Sequence, residues 1–505
     1  MFVQLGLFVI ILALIIYLQH MVRIYCYWKR RGVTGPIPYP VVGNYRTVIF
    51  GKESEGDFLK KIYEQYPNEK YIGLYKGVRP VLIIRDPDLI KCLLIKDYDY
   101  FSDRCLEKPV QVFNKSIFVM RGGPRWQAMR TTLSPSFTKS KLAKMIPYVQ
   151  KAVDDYLKYV DYIVSNKIEH EIHDLKTKYI LQIIGNLFFG INLDTFHNNN
   201  EFQNAINALL DPQLQSSPIH TASYICPMIV DMLTPVIRRE FDRRVYSAFR
   251  KLFTTLIYKP RDNKTVSPIF IETLVDLKEK SKMRNGRVIP DIDDDDIMQQ
   301  IITLSLATYE SPTTLLTFMI HNLALHQDIQ EKCSEEVRNV FEKYNGELTS
   351  EALFEMKYLE MTMDETMRFH PLAHYVDRRC VSKYTFPDTN VTIDKGVFVY
   401  IPTHGLNRDP QYFTNPNVFD PERFSPENKV KIQPYVFLPF GDGPRKCLGI
   451  RMAKLFVLMC MASFLHKYKV TPSAKTKPLR HDLSKLIVVS ALGGVWVNIE
   501  PRNEK

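Results

Sequence analysis

The chain has 505 residues, 45% of them hydrophobic, and a net charge of +12. That apolar content suffices for one large core or two or three modest ones. The mild basic excess suits an acidic partner or an anionic membrane surface; with no zinc-finger spacing and no RNA-recognition signature, it argues against nucleic acid.

The eight cysteines are scattered without a Cys-two-Cys pair, which excludes a disulfide framework and points to a reducing compartment for the main body. Residues 2–21 are apolar apart from Gln4, Gln19 and His20. About twenty residues at roughly 1.5 Å each match one bilayer core, so a transmembrane signal-anchor is expected there. Arg23, Lys29, Arg30 and Arg31 follow it, and the positive-inside rule leaves the remainder in the cytosol. Residues 22–44 read as a basic, proline-rich linker, stiffened by Pro36, Pro38 and Pro40. Residues 45–505 form the expected catalytic domain.

Within that domain, 71–75 and 80–85 flank Lys76-Gly77 and read as a hairpin. Asp86-Pro87 caps and opens a short helix to about Ile95. Residues 98–120 are irregular and read as a long loop. Trp126 and Arg130 stand four apart on one face of a helix. From Lys139 to Lys280 the period is mostly helical, broken at Gly190, at Asn198-Asn199-Asn200 and at Pro218. Ile225–Val230 is an apolar patch between helices, readable as core or as a second membrane contact.

An acidic run, Asp293–Asp296, complements the N-terminus of a long helix running to about His326. Inside it, Pro312 lacks an N–H, so the helix is expected to open at the carbonyl of Thr308. Glu365 and Arg368 share a face of a helix expected over 350–369. Residues 486–490 and 495–499 read as a hairpin around Ala491–Gly494.

The most informative stretch is Phe440-Gly441-Asp442-Gly443-Pro444-Arg445-Lys446-Cys447-Leu448-Gly449. A thiolate at Cys447 can bind haem iron from one side, given a dry pocket and nearby donors, with Phe440 shielding it. Gly443 permits a tight turn, and Gly449 lets the helix from about Ile450 to His466 approach a flat cofactor. Arg445 can pair with a haem propionate. The stretch closely resembles the haem-binding loop of the cytochrome P-450 family.

Further matches occur in family order along essentially the whole chain, and their spacing is most similar to the microsomal group that includes insect detoxification enzymes. The resemblance implies a mainly α-helical fold with small β-sheets and haem b between two long helices, with Cys447 as axial ligand. It implies that Trp126 and Arg130 donate to the propionates, and that Glu365, Arg368 and Arg423 of Pro421-Glu422-Arg423-Phe424 form a buried ionic cluster. It places Glu310, Ser311 and Thr308 at an oxygen-activating, proton-delivering site, with two departures from the family pattern: Thr308 stands where Gly is usual and Ser311 where Thr is usual.

The implied activity is insertion of one atom of O2 into a lipophilic small molecule, a xenobiotic or an endogenous lipid or hormone. The chain has no dinucleotide fingerprint, so electrons must come from another protein. NADPH-cytochrome P-450 reductase is the expected partner, with cytochrome b5 as an optional second donor. Arg125, Lys446 and Arg451 are candidate docking charges. The implied location is the endoplasmic reticulum membrane, with the catalytic domain facing the cytosol. Two alternatives stay open: a reductase-independent lipid-peroxide isomerase or dehydratase, and a non-catalytic haem or ligand carrier.

Overall fold

A computed structural model describes residues 21–105, 113–190, 193–196, 246–251, 292–483 and 488–502, with isolated positions 12, 19, 206 and 243. The anchor expected over 2–21 lies almost wholly outside the described residues, as do the Asn198–Asn200 break, Pro218 and the Ile225–Val230 patch. Among the described residues no helix is long and apolar enough to cross a membrane.

The architecture is mainly α-helical with small sheets. Helix α1 (Glu55–Gln65) starts where the Ser54 hydroxyl accepts the N–H of Asp57. Strands β1 (Tyr71–Lys76) and β2 (Arg79–Ile84) form the expected hairpin. Asp86 caps the following helix at Pro87–Lys91, also as expected.

Helices α2 (Pro124–Leu133), α3 (Lys139–Ser165) and α4 (Ile172–Ile184) lead to the central helix α5, Asp294–Leu325. Its 32 residues span about 48 Å. Asp293 opens it with a capping box: its carboxylate accepts the Asp296 N–H at 2.6 Å, and Asp296 accepts the Asp293 N–H at 3.2 Å. Helix α6 (Gln327–Lys343) and helix α7 (Lys357–Phe369) precede strands β3 (Val376–Arg379) and β4 (Phe398–Ile401). Helix α8 (Ile450–Lys467) and strands β5 (Tyr468–Pro472) and β6 (Val497–Pro501) close the chain.

The largest sheet has the order β1-β2-β4-β3, with β2 and β4 parallel. Its strands come from distant parts of the chain, so no local sequence pattern specifies that pairing. The segment after residue 21 packs directly on this sheet: Trp28 is buried against Gly73, and its Nε1–H donates to the Leu74 carbonyl at 2.8 Å. The main apolar cluster lies among α3, α4, α5 and α8, whereas a second lies on the sheet side around Leu82, Val399 and Leu438.

Three expectations change. The helix over 350–369 divides at Met356, because the Glu336 carboxylate accepts the N–H groups of Tyr358 (2.7 Å) and Leu359 (2.9 Å) and starts a fresh helix there. Pro312 does not interrupt α5: it deletes one backbone bond, while the Ser311 and Thr313 hydroxyls donate to the carbonyls of Ala307 (2.9 Å) and Tyr309 (2.6 Å). The strand near Val495–Ile499 pairs with β5, in the register Val470↔Ile499, and among the described residues 488–490 of the expected partner form no ladder with it.

Candidate functional site

Cys447 ends a turn whose geometry is set by its neighbours. Gly443 has φ +72°, and a Cβ there would lie 1.9 Å from the Leu94 carbonyl oxygen, so only glycine fits. Gly441 also lies in the left-handed region, at φ +66°. The Cys447 N–H donates to the Phe440 carbonyl at 3.0 Å, which closes the loop before α8. A Cβ at Gly449 would meet only ordinary contacts, at 3.7 Å or more, so nothing in the protein itself demands glycine at that position.

Cys447 is solvent-accessible. Enough protein nevertheless surrounds it that burial pushes its thiol pKa up, opposed by the Gly449 N–H and by the Arg130 and Arg104 guanidiniums. A group both surrounded and accessible sits on a concave wall. Phe440 and Leu448 pack against the same apolar cluster as Leu306 and Tyr309 of α5. On α5, Ala307 is exposed and Glu310 and Ser311 are half-buried, a strip of accessible surface midway along a mostly buried helix, while Thr308 is buried.

Beside the cysteine turn, guanidiniums accumulate. Arg130 of α2 donates to the Lys446 carbonyl. Arg445 lies 4.3 Å from the Trp126 ring and donates to the carbonyls of Ser102 (3.0 Å), Ile117 (3.2 Å) and Met120 (2.6 Å). Three of its five N–H groups thus tie Ser102, Ile117 and Met120 to the cysteine turn, which leaves two for an anion. Arg378, 1% exposed on β3, and Arg104 complete the group; Arg104 pairs with Asp377 at 2.9 Å. Burial, and then Arg104, push the Arg378 pKa down to about 10. Burial also lowers Arg445 and Arg130. The Nε atoms of Arg104 and Arg378 are buried without a partner. Among the described residues, the carboxylates that act on this group of four guanidiniums are Asp377, on Arg378, and Asp103, on Arg445.

The sequence reading missed Arg104 and Arg378. Arg378 carried a faint signal, a charged residue at an inward position of a short strand; Arg104 sits in an irregular loop and carried none. Of the candidate docking charges, Arg125 pairs with Asp296 at 2.6 Å and Lys446 with Asp442 at 3.5 Å.

The ionic cluster forms as expected. Glu365 and Arg368 share two hydrogen bonds of 2.6 and 2.7 Å at 0% exposure, with Arg423 at 3.6 Å from Glu365.

Comparison with known proteins gives a consistent picture. The family model described as Cytochrome P450 matches residues 33–496. Cytochrome P450 6B1 of Papilio polyxenes is 33% identical over 95% of this chain and 96% of its own length. Cytochrome P450 9e2 of Blattella germanica is 31% identical over 95% of this chain and 94% of its own, and cytochrome P450 6k1 of the same species is 33% identical over 94% and 93%.

Proposed function

The chain belongs to the cytochrome P450 family, and from that premise we propose that it is a membrane-anchored monooxygenase acting on a lipophilic small molecule with electrons from NADPH-cytochrome P-450 reductase. The family's members are monooxygenases that hold haem b through a cysteine thiolate. The residues present fit that group. Cys447 is an accessible thiol on a concave wall, and the partnerless guanidinium nitrogens beside it suit a ligand bearing two carboxylates. Haem b bound there supplies the site at which O2 is bound and reduced.

Each residue then has a task that the geometry supports. Cys447 presents sulfur from a turn locked by Gly443, and the Gly449 N–H points at that sulfur and favours the thiolate. Arg104, Arg130 and Arg378 would hold the propionates of a bound haem, with Trp126 and the remaining N–H groups of Arg445 beside them, while Arg445 also ties Ser102, Ile117 and Met120 to the cysteine turn. Ser311 donates its only proton to the Ala307 carbonyl, which leaves its oxygen lone pairs free to accept from, and hold in place, a water that carries the proton. Glu310, one residue earlier on the same accessible strip, is the acid that replenishes that proton. Thr308 narrows the groove beside them. The apolar residues of the surrounding cluster exclude bulk water and select a lipophilic substrate.

The observation that carries this reading is the accessible Cys447 thiol on a turn that tolerates only glycine at 443. Cys447→Ala is expected to abolish the red-shifted absorption band of the reduced, CO-bound protein, which thiolate ligation produces. An unchanged band would remove the ligand assignment. Screening hydrophobic compounds for a spin-state shift in the haem spectrum then identifies the substrate class.

A further inference from the structure

On the sheet side of the molecule, apart from the cysteine turn, three segments distant in sequence converge. Asp57 lies in the first turn of α1, His404 in the short helix Thr403–Leu406, and His481 in the segment after β5. One ligand atom from each lies within 4.8 Å of the others. The His404 and His481 rings stand edge to face, with centroids 5.1 Å apart.

Hydrogen bonding does not account for the arrangement. His404 is 4% exposed, and its Nε2 is buried without a partner. His481 Nδ1 is also buried without a partner: it lies 3.4 Å from Asp57 Oδ2, beyond the usual range of an N–H···O bond. That separation is instead the edge of a tetrahedron whose centre–ligand bonds are about 2.0–2.1 Å, the lengths found for imidazole and carboxylate on zinc. His404 requires only a small closing movement to join them.

The surroundings agree. A Cβ at Gly56 would lie 2.8 Å from His374 Nδ1 and 2.9 Å from His404 Cε1 and Nε2, so glycine is what lets both imidazoles approach the start of α1. The Ser54 hydroxyl donates to Asp57 Oδ2 at 2.7 Å, the kind of outer contact that orients a ligating carboxylate. His374 lies close, with its ring 6.0 Å from His404, but its Nδ1 accepts the Gly56 N–H at 3.1 Å and stands outside the ligand set. The Asp57 side chain is 46% exposed, which provides an entry path from solvent.

We propose that Asp57, His404 and His481 form a binding site for a divalent ion of the zinc class, through one carboxylate oxygen and two neutral imidazole nitrogens, with a fourth position left for water. The ion acts as a clip. It joins α1 and the helix after β4 to the segment around His481, which is itself folded back by the Leu492 N–H to Arg480 carbonyl bond at 2.7 Å. Zinc has no redox chemistry, so this site takes no part in oxygen activation.

The test uses the full-length protein with its haem, dialysed against a chelator and then titrated with zinc sulfate. Elemental analysis is expected to give one zinc per iron at micromolar free zinc. Zinc-edge X-ray absorption should show two imidazole nitrogens and oxygen at about 2.0–2.1 Å. His481→Ala and Asp57→Asn should each weaken binding at least tenfold, and together abolish it, with the reduced-CO spectrum confirming an intact haem site. Zinc should raise the unfolding temperature of the unmodified protein and not of the double variant. His170→Ala, at the separate His170–Asp174 pair, should change nothing. A zinc-to-iron ratio near zero, a ratio unchanged in the double variant, or an absorption spectrum without two imidazoles would each overturn the site, and the last needs no variant to fold.

Discussion

Arg368 and Arg378 are both buried guanidiniums, 0% and 1% exposed, and their surroundings differ in how charge is matched. Arg368 makes two bonds to the Glu365 carboxylate and donates to the carbonyls of Asn407, Pro416 and Val418. Glu365 in turn accepts the Asp420 N–H at 2.8 Å. Arg378 has only the Asp377 carbonyl at 2.7 Å and a longer contact to the Asp442 carbonyl, its Nε is unpaired, and other guanidiniums crowd it. A matched cluster is complete within the protein; an unmatched one costs stability until an anion arrives. The first region is complete as folded, and the second is left with the capacity to take up an anion.

The comparison is broken most directly at Glu365. Glu365→Gln leaves Arg368 buried with its charge uncompensated, which costs about 3–5 kcal/mol. Chemical denaturation of the haem-free protein should register the loss, and a change below about 1 kcal/mol would dissolve the distinction. Arg378→Leu should do the reverse. It removes an unmatched cation, so haem-free stability should hold or rise, while haem affinity falls roughly tenfold to a hundredfold, about 1.4–2.8 kcal/mol. Competition for haem with an apo-globin measures that affinity; unaltered retention would show that Arg378 faces no anion.

A third, smaller effect comes from pH. His370 lies between the rings of Phe318 and Phe369, and burial together with the Arg408 cation holds its pKa well below the usual histidine value. A folded pKa below the unfolded one means that the unfolded chain binds the extra proton first. The stability is then present above about pH 6.5 and is lost as pH falls below it, by up to about 1.4 kcal/mol per pH unit. Protonation would add to the matched region an unpaired cation. His370→Gln should flatten the acid limb of the stability profile by up to that amount, and an unaltered slope would assign the acid sensitivity elsewhere.

The cysteine turn was readable because its chemistry is local. Gly443 and Cys447 lie within five residues of one another, and backbone sterics act at that range. The acidic start of α5 and the Asp86 cap were readable for the same reason. Met356 shows where this fails: nothing near it breaks a helix, and the cause is Glu336 on another helix. The β5–β6 pairing was missed because register is selected by partners, and the nearer segment was the wrong one.

From the sequence came the family, through it the mainly helical class, and directly the cysteine turn and the acidic start of the central helix. Each depends on chemistry carried by neighbours in sequence, so a one-dimensional pattern suffices to record it. Only the folded chain decided that Arg104 and Arg378 join Arg130 beside Cys447, that Arg445 is occupied by carbonyls, and that Asp57, His404 and His481 meet. Charge balance and metal geometry depend on distance through space, and the chain's path between those residues cannot be summed from its local preferences.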